Sequence, residues 1–304
     1  MKGVKRIVLV LSGKGGVGKS TVSSQLAFTL AAAGHNVGLL DVDICGPSLP
    51  RMLGLMGRQV HRSATGWEPV WLEENLGVMS VGFMLPKQDE AVIWRGPRKN
   101  GLIRQFLTDV NWGELDYLLI DTPPGTSDEH ISIVQYLKAS PLLGAVVVTT
   151  PQEVALMDVR KELSFCSKTG VRVLGVVENM SGFACPGCSR VTHVFSPGAG
   201  GPESSAAATM SAAFGTWVVA RLPLDPRLGE CCEGGEAAVE AYPEAHFSAE
   251  LLRVASSVTS ADALEKLEEG RTRGSVPAVP AKAAEVRVEA ESEAGDLVQE
   301  RKVE

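Results

Sequence analysis

A glycine-rich loop near the N-terminus constrains the fold of this chain more than any other feature. Residues 13–20 read G-K-G-G-V-G-K-S, after an apolar run at residues 6–11 and before a helical pattern at residues 20–33. Such a turn directs several backbone N–H groups and a helix N-terminus at one point, which is a geometry that binds phosphate. The spacing predicts a nucleotide site in which Lys19 contacts the β- and γ-phosphates and Ser20 Oγ binds Mg²⁺.

Short apolar runs alternate with longer helical patterns through most of the chain. The runs lack the polar alternation of a one-sided sheet, which is typical of strands that are buried on both faces. This order predicts an α/β fold with a mainly parallel twisted sheet of about seven or eight strands and helices on both faces. The phosphate loop in turn predicts that the fold is of the P-loop NTPase class. The predicted strands are residues 6–11, 36–41, 76–81, 117–121, 144–149, 172–178 and 217–222.

The composition narrows the possible partners and the compartment. With 36 acidic and 29 basic side chains the net charge is −7, which disfavours binding to nucleic acid or to an anionic membrane surface. No apolar run approaches the roughly 20 residues that span a bilayer, and the basic start is followed by too short an apolar run for a signal peptide. Six cysteines are too few for a disulfide scaffold, so we expect a cytoplasmic protein with reduced thiols.

The C-terminal segment differs in composition from the rest of the chain. Residues 271–304 contain no aromatic side chain and alternate Ala, Glu, Val, Arg and Pro. We therefore predict one P-loop domain over residues 1–270 and a disordered tail over residues 271–304.

Two predicted strands end in aspartate, at Asp41 and Asp121. Ligands of open α/β sheets bind beyond the carboxyl ends of the strands, so both side chains are expected near the phosphate loop. Mg²⁺ prefers one or two carboxylates together with phosphate oxygens and water. The sequence therefore predicts a Mg²⁺ site formed by Ser20, Asp41 and Asp121.

A second cluster of reactive side chains follows the strand predicted at residues 172–178. Cys185-Pro186-Gly187-Cys188 is a C-x-x-C pair, which could ligate a metal or close a disulfide. A structural zinc site needs four ligands, and only His193 lies nearby. A thioredoxin-type pair would open a helix. An iron–sulfur cluster takes four thiolates, which a symmetric dimer of this chain would supply.

The order and spacing of these motifs resemble a known family. Lys14, directly after the first glycine, is similar to the first lysine of the deviant Walker A loop in MinD/ParA-type ATPases. Together with Asp41-Val42-Asp43, Asp121-Thr122-Pro123-Pro124-Gly125 and the segment 178–188, it resembles the Mrp-like nucleotide-binding proteins. Within that family, the chain most resembles the cytosolic iron–sulfur cluster assembly factors of the nucleotide-binding protein 2 type.

This resemblance implies roles for individual residues. It implies that Lys14 contacts the nucleotide of a partner chain, that Asp43 positions the attacking water, and that Asn179 reads the adenine of ATP beside a wall formed at Asp225. It also implies that Cys185 and Cys188 share a [4Fe–4S] cluster across a dimer. The implied nucleotide-binding residues are Gly13, Lys14, Gly15, Gly16, Val17, Gly18, Lys19, Ser20, Asn179 and Asp225.

The family also implies an activity and partners. It implies a weak ATPase that loads a labile cluster and transfers it to apo-proteins, as a homodimer or as a heterotetramer with a nucleotide-binding protein 1-type sister. The alternative is a MinD/ParA-like positioning ATPase with a structural zinc C-x-x-C. The helix predicted at residues 245–269 has too few basic side chains for the membrane-binding form of that alternative. Adjacent Cys231 and Cys232 are predicted to be incidental.

Overall fold

The computed structural model describes residues 3–44, 46–64, 66–84, 96–195 and 205–272. The chain divides into two units, residues 1–262 and residues 263–304. The first unit holds the central sheet and every predicted site residue. Of the predicted tail, all but residues 271 and 272 lie outside the described residues, and these two end the last helix.

A nine-stranded sheet forms the centre of the described part of the chain. Its strands are β1 (Val4–Ser12), β2 (Val37–Asp41), β5 (Val70–Glu73), β6 (Leu76–Ser80), β7 (Leu115–Asp121), β8 (Leu142–Thr149), β9 (Val173–Ala184), β10 (Val191–Thr192) and β11 (Val218–Leu224). Two further short strands, β3 (His61–Arg62) and β4 (Trp67–Glu68), pair with each other.

The strand order explains why the phosphate loop and the aspartates meet. The order is β10-β9-β8-β1-β7-β2-β6-β5, and β11 also pairs with β9. β1 lies between β7 and β8, and β2 pairs with β7 in parallel, with Asp41 opposite Asp121. The loop after β1 and the ends of β2 and β7 therefore lie at the same edge of the sheet.

Helices cover both faces of this sheet. They are α1 (Lys19–Ala32), α2 (Leu49–Met52), α3 (Gly96–Thr108), α4 (Asp128–Leu137), α5 (Glu153–Thr169), α6 (Ala206–Ala213), α7 (Pro226–Gly234), α8 (Ala238–Ala241) and α9 (His246–Thr272). In β1, Val8 and Val10 pack into the core beneath α1, whereas Leu9 and Leu11 pack into the core beneath α5. Successive strand residues point to opposite faces, so an apolar run fills both cores.

The prediction of a mainly parallel sheet is confirmed, and two short antiparallel strands, β5 and β10, extend it. The prediction that a strand ends at residue 178 was wrong, because β9 continues to Ala184. The β9–β11 ladder reaches Phe183, and β10 pairs with Phe183 and Ala184. Among the described helices, none combines the length and apolar character needed to cross a bilayer.

Candidate nucleotide site and cysteine hairpin

Two glycines of the phosphate loop are required by their surroundings. A Cβ on Gly13 would collide with the backbone at Asp158 of α5. Gly18 has a positive φ of 83° and carries the side-chain amide of Asn179 against its Cα, so a larger residue would be strained and would clash. The loop is thus held between α5 and β9, with α1 starting directly behind it.

Asp121 is the centre of a dense polar cluster at the start of α1. Its Oδ2 accepts a hydrogen bond of 2.7 Å from Ser20 Oγ, and its Oδ1 accepts one of 2.6 Å from Ser23 Oγ. The ammonium of Lys19 lies 2.8 Å from the same Oδ1. Ser23 has no counterpart in the sequence prediction, but its position one turn after Ser20 on α1 could have suggested it.

Asp41 lies beside Asp121 in a fully buried position. Its Oδ2 accepts from Ser80 Oγ at 2.9 Å, and its Oδ1 accepts from the backbone N–H of Asp43 at 3.0 Å. Burial, followed by repulsion from Asp121, raises the pKa of Asp41 to about 8, although Lys19 acts in the opposite direction. One lysine ammonium can neutralise the charge of only one of these two buried carboxylates.

This cluster fits a phosphate and a divalent cation. The Lys19 ammonium is 6% exposed and, despite its proximity to Asp121, makes no hydrogen bond of good geometry within the described residues. An ammonium carries three N–H donors, and those of Lys19 that are not directed at Asp121 suit a phosphate oxygen. A divalent cation near Asp41 and Asp121 would relieve their mutual repulsion, and Ser20 Oγ adds the hydroxyl ligand. The residues present could therefore hold Mg²⁺ and a nucleotide phosphate.

A cleft of about 430 Å³ lies between the loops that follow β2 and β7. Asp43 lines it on one side, and Pro123 and Pro124 line it on the other. Lys99 and Glu129 form an ion pair of 3.6 Å at its wall. The cleft places the Asp43 side chain where a small polar molecule can reach it.

Lys14 lies on the outer part of the phosphate loop and is half-buried. Its backbone carbonyl accepts from Ser12 Oγ at 3.2 Å, and no ion pair to its ammonium occurs within the described residues. Among the described residues of its own chain, no acidic side chain therefore pairs with this ammonium.

Asn179 and Asp225, the two residues predicted to lie beside the adenine, make contacts within the fold. Asn179 Nδ2 donates to the Val17 carbonyl at 2.8 Å and so ties β9 to the phosphate loop. Asp225 is the N-cap of α7, accepting at Oδ1 from the backbone N–H and Nε of Arg227, both at 3.0 Å, and at Oδ2 from its guanidinium at 2.7 Å. The Arg227 contacts lower the pKa of Asp225.

The cysteine pair occupies a tight turn between β9 and β10. We call β9 from Asn179 onward, this turn and β10 the cysteine hairpin. The turn closes with hydrogen bonds from Cys185 N to the Arg190 carbonyl at 3.0 Å and from Ser189 N to the Cys185 carbonyl at 2.8 Å. Backbone N–H groups of Gly187 and Cys188 point at the Cys185 sulfur and lower its pKa. Cys188 is exposed and Cys185 is partly exposed, so the pair lies at the surface of the hairpin.

The described residues offer this pair no further ligand. Within them, no group of three or more His, Cys, Asp and Glu side chains could hold a metal ion. His193 is turned to the backbone, with Nδ1 at 3.2 Å from the Ser181 carbonyl. Cys231 and Cys232 are buried on α7, and burial raises the pKa of both thiols.

Comparison with known proteins identifies the family. A family model described as ParA, NUBPL iron-transfer P-loop NTPase, matches residues 3–259. The chain belongs to this family. A nucleotide-binding protein of Archaeoglobus fulgidus, solved with ADP, is 37% identical over 80% of this chain and 90% of its own, with a TM-score of 0.66. The predicted membership in the superfamily of deviant Walker A ATPases is thereby confirmed.

More distant ParA-type structures share the fold of this NTPase. The cell division ATPase MinD of Pyrococcus furiosus is 23% identical over 84% of this chain and 99% of its own, with a TM-score of 0.57. A ParA family ATPase of Chlorobium tepidum is 17% identical over 84% of this chain and 98% of its own, also with a TM-score of 0.57. At these identities the likeness supports the α/β fold alone.

Proposed function

We propose that this chain is an ATP-dependent scaffold on which two copies hold a [4Fe–4S] cluster between their cysteine hairpins and pass it to apo-proteins. The observation that carries the proposal is the hairpin itself, with two accessible thiols and no third ligand within the described residues. A cluster takes four thiolates, and a two-fold axis through the pair supplies them. Membership in a family described by iron transfer supports the same conclusion.

The thiols have a chemistry suited to transient binding. The backbone N–H groups that lower the pKa of Cys185 favour its thiolate, which is the form that ligates iron. The exposed position of Cys188 leaves the site open to a client protein that exchanges its own ligands for those of the scaffold. A buried site with four ligands from one chain would release its metal far less readily.

ATP is the nucleotide we propose for the other site. Lys19 and the backbone N–H groups of residues 13–20 would hold its β- and γ-phosphates, and Ser20, Asp41 and Asp121 would hold Mg²⁺, which neutralises charge on the phosphates. Asp43 would orient the attacking water from the wall of the cleft. Asn179 and the loop at Asp225 would enclose the adenine.

The two sites are coupled through dimerisation in this proposal. The Lys14 ammonium, which has no ion-pair partner in its own described chain, would contact the phosphates bound to the partner chain, where added positive charge stabilises the transition state. ATP would thus favour the same dimer that completes the cluster. The partner is a second copy or a nucleotide-binding protein 1-type sister, and the compartment is the cytoplasm.

The test is transfer of iron and sulfide from the anaerobically reconstituted protein to an apo enzyme that needs a [4Fe–4S] cluster. We expect ATP-dependent activation of that enzyme by the wild type and none by Cys185→Ala/Cys188→Ala. The control Cys231→Ala/Cys232→Ala removes two buried thiols and should still transfer. A colourless wild-type protein that holds zinc on the hairpin would overturn the proposal.

A further inference from the structure

His130 is a buried imidazole at the base of the loop that joins Asp121 to α4. Its side chain is 1% exposed, and burial lowers its pKa to about 4, so the ring is neutral at physiological pH. The ring packs nearly perpendicular to the ring of Phe165 on α5, with an interplanar angle of 79° and ring centroids 6.1 Å apart.

The hydrogen bonds of the ring determine which nitrogen carries the proton. Nδ1 lies 3.2 Å from the backbone N of Ser127, and a backbone N–H is always a donor. Nδ1 therefore accepts, which completes the capping interaction at the start of α4, and Ser127 Oγ, 3.1 Å from the same nitrogen, can also donate to it. With Nδ1 as the acceptor, the single ring proton of the neutral imidazole is on Nε2.

This leaves Nε2–H as a buried donor without a hydrogen bond within the described residues. Such a donor loses its solvation without replacement, so the arrangement is unfavourable as it stands. The Pro123 carbonyl is close enough to raise the pKa of the ring but does not form a hydrogen bond of good geometry. A small shift of Pro123 would give Nε2–H a hydrogen-bond acceptor.

Pro123 lies in the loop that adjoins the nucleotide site, and the loop is tethered on either side of it. Thr122 Oγ1 donates to the Val10 carbonyl at 2.8 Å, and Gly125 N, at a positive φ of 81°, donates to the Ser12 carbonyl at 2.8 Å. Between these tethers, Pro123 and Pro124 form a wall of the cleft that also contains Asp43. Any movement of Pro123 therefore changes the cleft next to the phosphate loop.

We propose that His130 is a positioning residue for ATP hydrolysis, whose Nε2–H donates to the Pro123 carbonyl when ATP is bound and holds residues 122–127 in the hydrolytic arrangement. The bond is open in the structure described here and closed in the ATP-bound form. This inference rests on the proposed binding of ATP at the phosphate loop. Because the ligand favours the state in which the bond is made, the ring links the nucleotide site to the N-terminus of α4.

Two amide substitutions separate the two ring nitrogens. In His130→Asn the amide oxygen can replace Nδ1 as acceptor for Ser127 N–H, but no atom remains at the position of Nε2. In His130→Gln the longer amide can place its nitrogen where Nε2 was, at the expense of the cap. We expect His130→Asn to melt near the wild-type temperature and to lose about 3- to 10-fold in kcat, the size of one net hydrogen bond, with a smaller change in KM.

His130→Gln should recover most of the lost kcat in spite of lower thermal stability, which a merely structural role of the ring would not allow. Wild-type kcat in His130→Asn, or losses in both variants that follow their stability, would overturn the role of His130. A wild-type protein that binds no ATP would overturn the proposed nucleotide site as well, so the two failures are distinguishable.

A spectroscopic measurement on the wild type tests the proposed hydrogen bond of His130 even if both variants fail to fold. The chain has five histidines, and ring-nitrogen NMR on histidine-labelled protein reports the proton on Nε2. We expect a slowly exchanging Nε2–H resonance of one buried histidine to shift downfield when a non-hydrolysable ATP analogue is added. An unchanged resonance under saturating analogue would overturn the proposal.

Discussion

The nucleotide end of the sheet and the cysteine hairpin differ in how completely one chain builds them. At the nucleotide end, Asp121 receives two hydroxyl groups and an ammonium, and Asp41 accepts two hydrogen bonds in full burial. The cysteine hairpin presents its two thiols at the surface, in a turn that two backbone hydrogen bonds close. The first site has its protein ligands in place before any ligand arrives, whereas the second lacks half of the thiolates that a cluster needs.

This difference shows what each region contributes. A preformed, buried site positions a reacting group without reorganisation and so suits hydrolysis. An exposed, incomplete site binds only when a second chain joins it, and its affinity then depends on the equilibrium of association. In the proposed dimer, the nucleotide end would therefore control the hairpin through association of the two chains, in addition to the contact of Asn179 with the phosphate loop within one chain.

The largest expected effect is on iron binding. Cys185→Ser/Cys188→Ser should abolish iron and sulfide retention after anaerobic reconstitution, because the two strongest ligands of the hairpin are removed. ATP affinity compared between the iron-free proteins should stay at the wild-type value, since neither thiol contacts the nucleotide end. Iron analysis tests the loss of the cluster, and equilibrium binding of labelled ATP tests the unchanged affinity. Iron retained in this variant would show that the cluster lies elsewhere.

Lys19→Ala should produce the converse result. It removes the buried ammonium proposed to contact the phosphates, so kcat/KM for ATP should fall by about 100-fold or more. Reactivity of Cys185 and Cys188 toward an alkylating reagent should be unchanged in the same protein, because the hairpin is built without Lys19. Steady-state hydrolysis and timed alkylation measure the pair of effects. A parallel loss of thiol reactivity would mean that the two regions are not separate structural units.

The sequence predicts the nucleotide end better than the hairpin, for a physical reason. A phosphate loop and strands that are buried on both faces leave continuous local patterns, and the seven predicted strands are all present. β10 has two residues and no apolar run, so its pairing with Phe183 and Ala184 depends on contacts that no local pattern records. The same holds for His130, because the role proposed for it depends on its burial and on which ring nitrogen accepts the hydrogen bond from Ser127 N–H.

The helix α7 is an intermediate case. It was not predicted, although Asp225 followed by Pro226 is a typical N-cap with proline in the first turn. The resemblance to known ATPases drew attention to Asp225 as part of the nucleotide wall. Its bidentate pairing with Arg227 could not be predicted, because the local sequence is equally compatible with two side chains that face solvent.

The buried carboxyl groups make the nucleotide end sensitive to pH. The pKa of Asp41 is raised from 3.8 to about 8, so the folded protein binds a proton that the unfolded chain releases. The free energy of unfolding should therefore fall as the pH rises from about 4 to about 8. Chemical denaturation at several pH values without Mg²⁺ or nucleotide measures this slope. Asp41→Asn should reduce it, and an equal slope in that variant would exclude Asp41 as its source.

A smaller effect is expected at Asp225. Asp225→Ala removes the N-cap of α7 and should lower the free energy of unfolding by about 1 kcal/mol, whereas Asp225→Asn keeps a good cap and should cost less. Urea denaturation provides the comparison. If Asn costs as much as Ala, the ion pair with Arg227 rather than the cap stabilises this wall.

The stoichiometry of the loaded protein tests the central claim most directly. Native mass spectrometry of the anaerobically reconstituted wild type, with and without ATP, resolves how many chains carry each cluster. We predict dimers that carry about four iron and four sulfide ions per two chains, with more dimer when ATP is present. Iron or zinc bound in equal amounts to single chains, irrespective of ATP, would contradict a cluster shared between two hairpins.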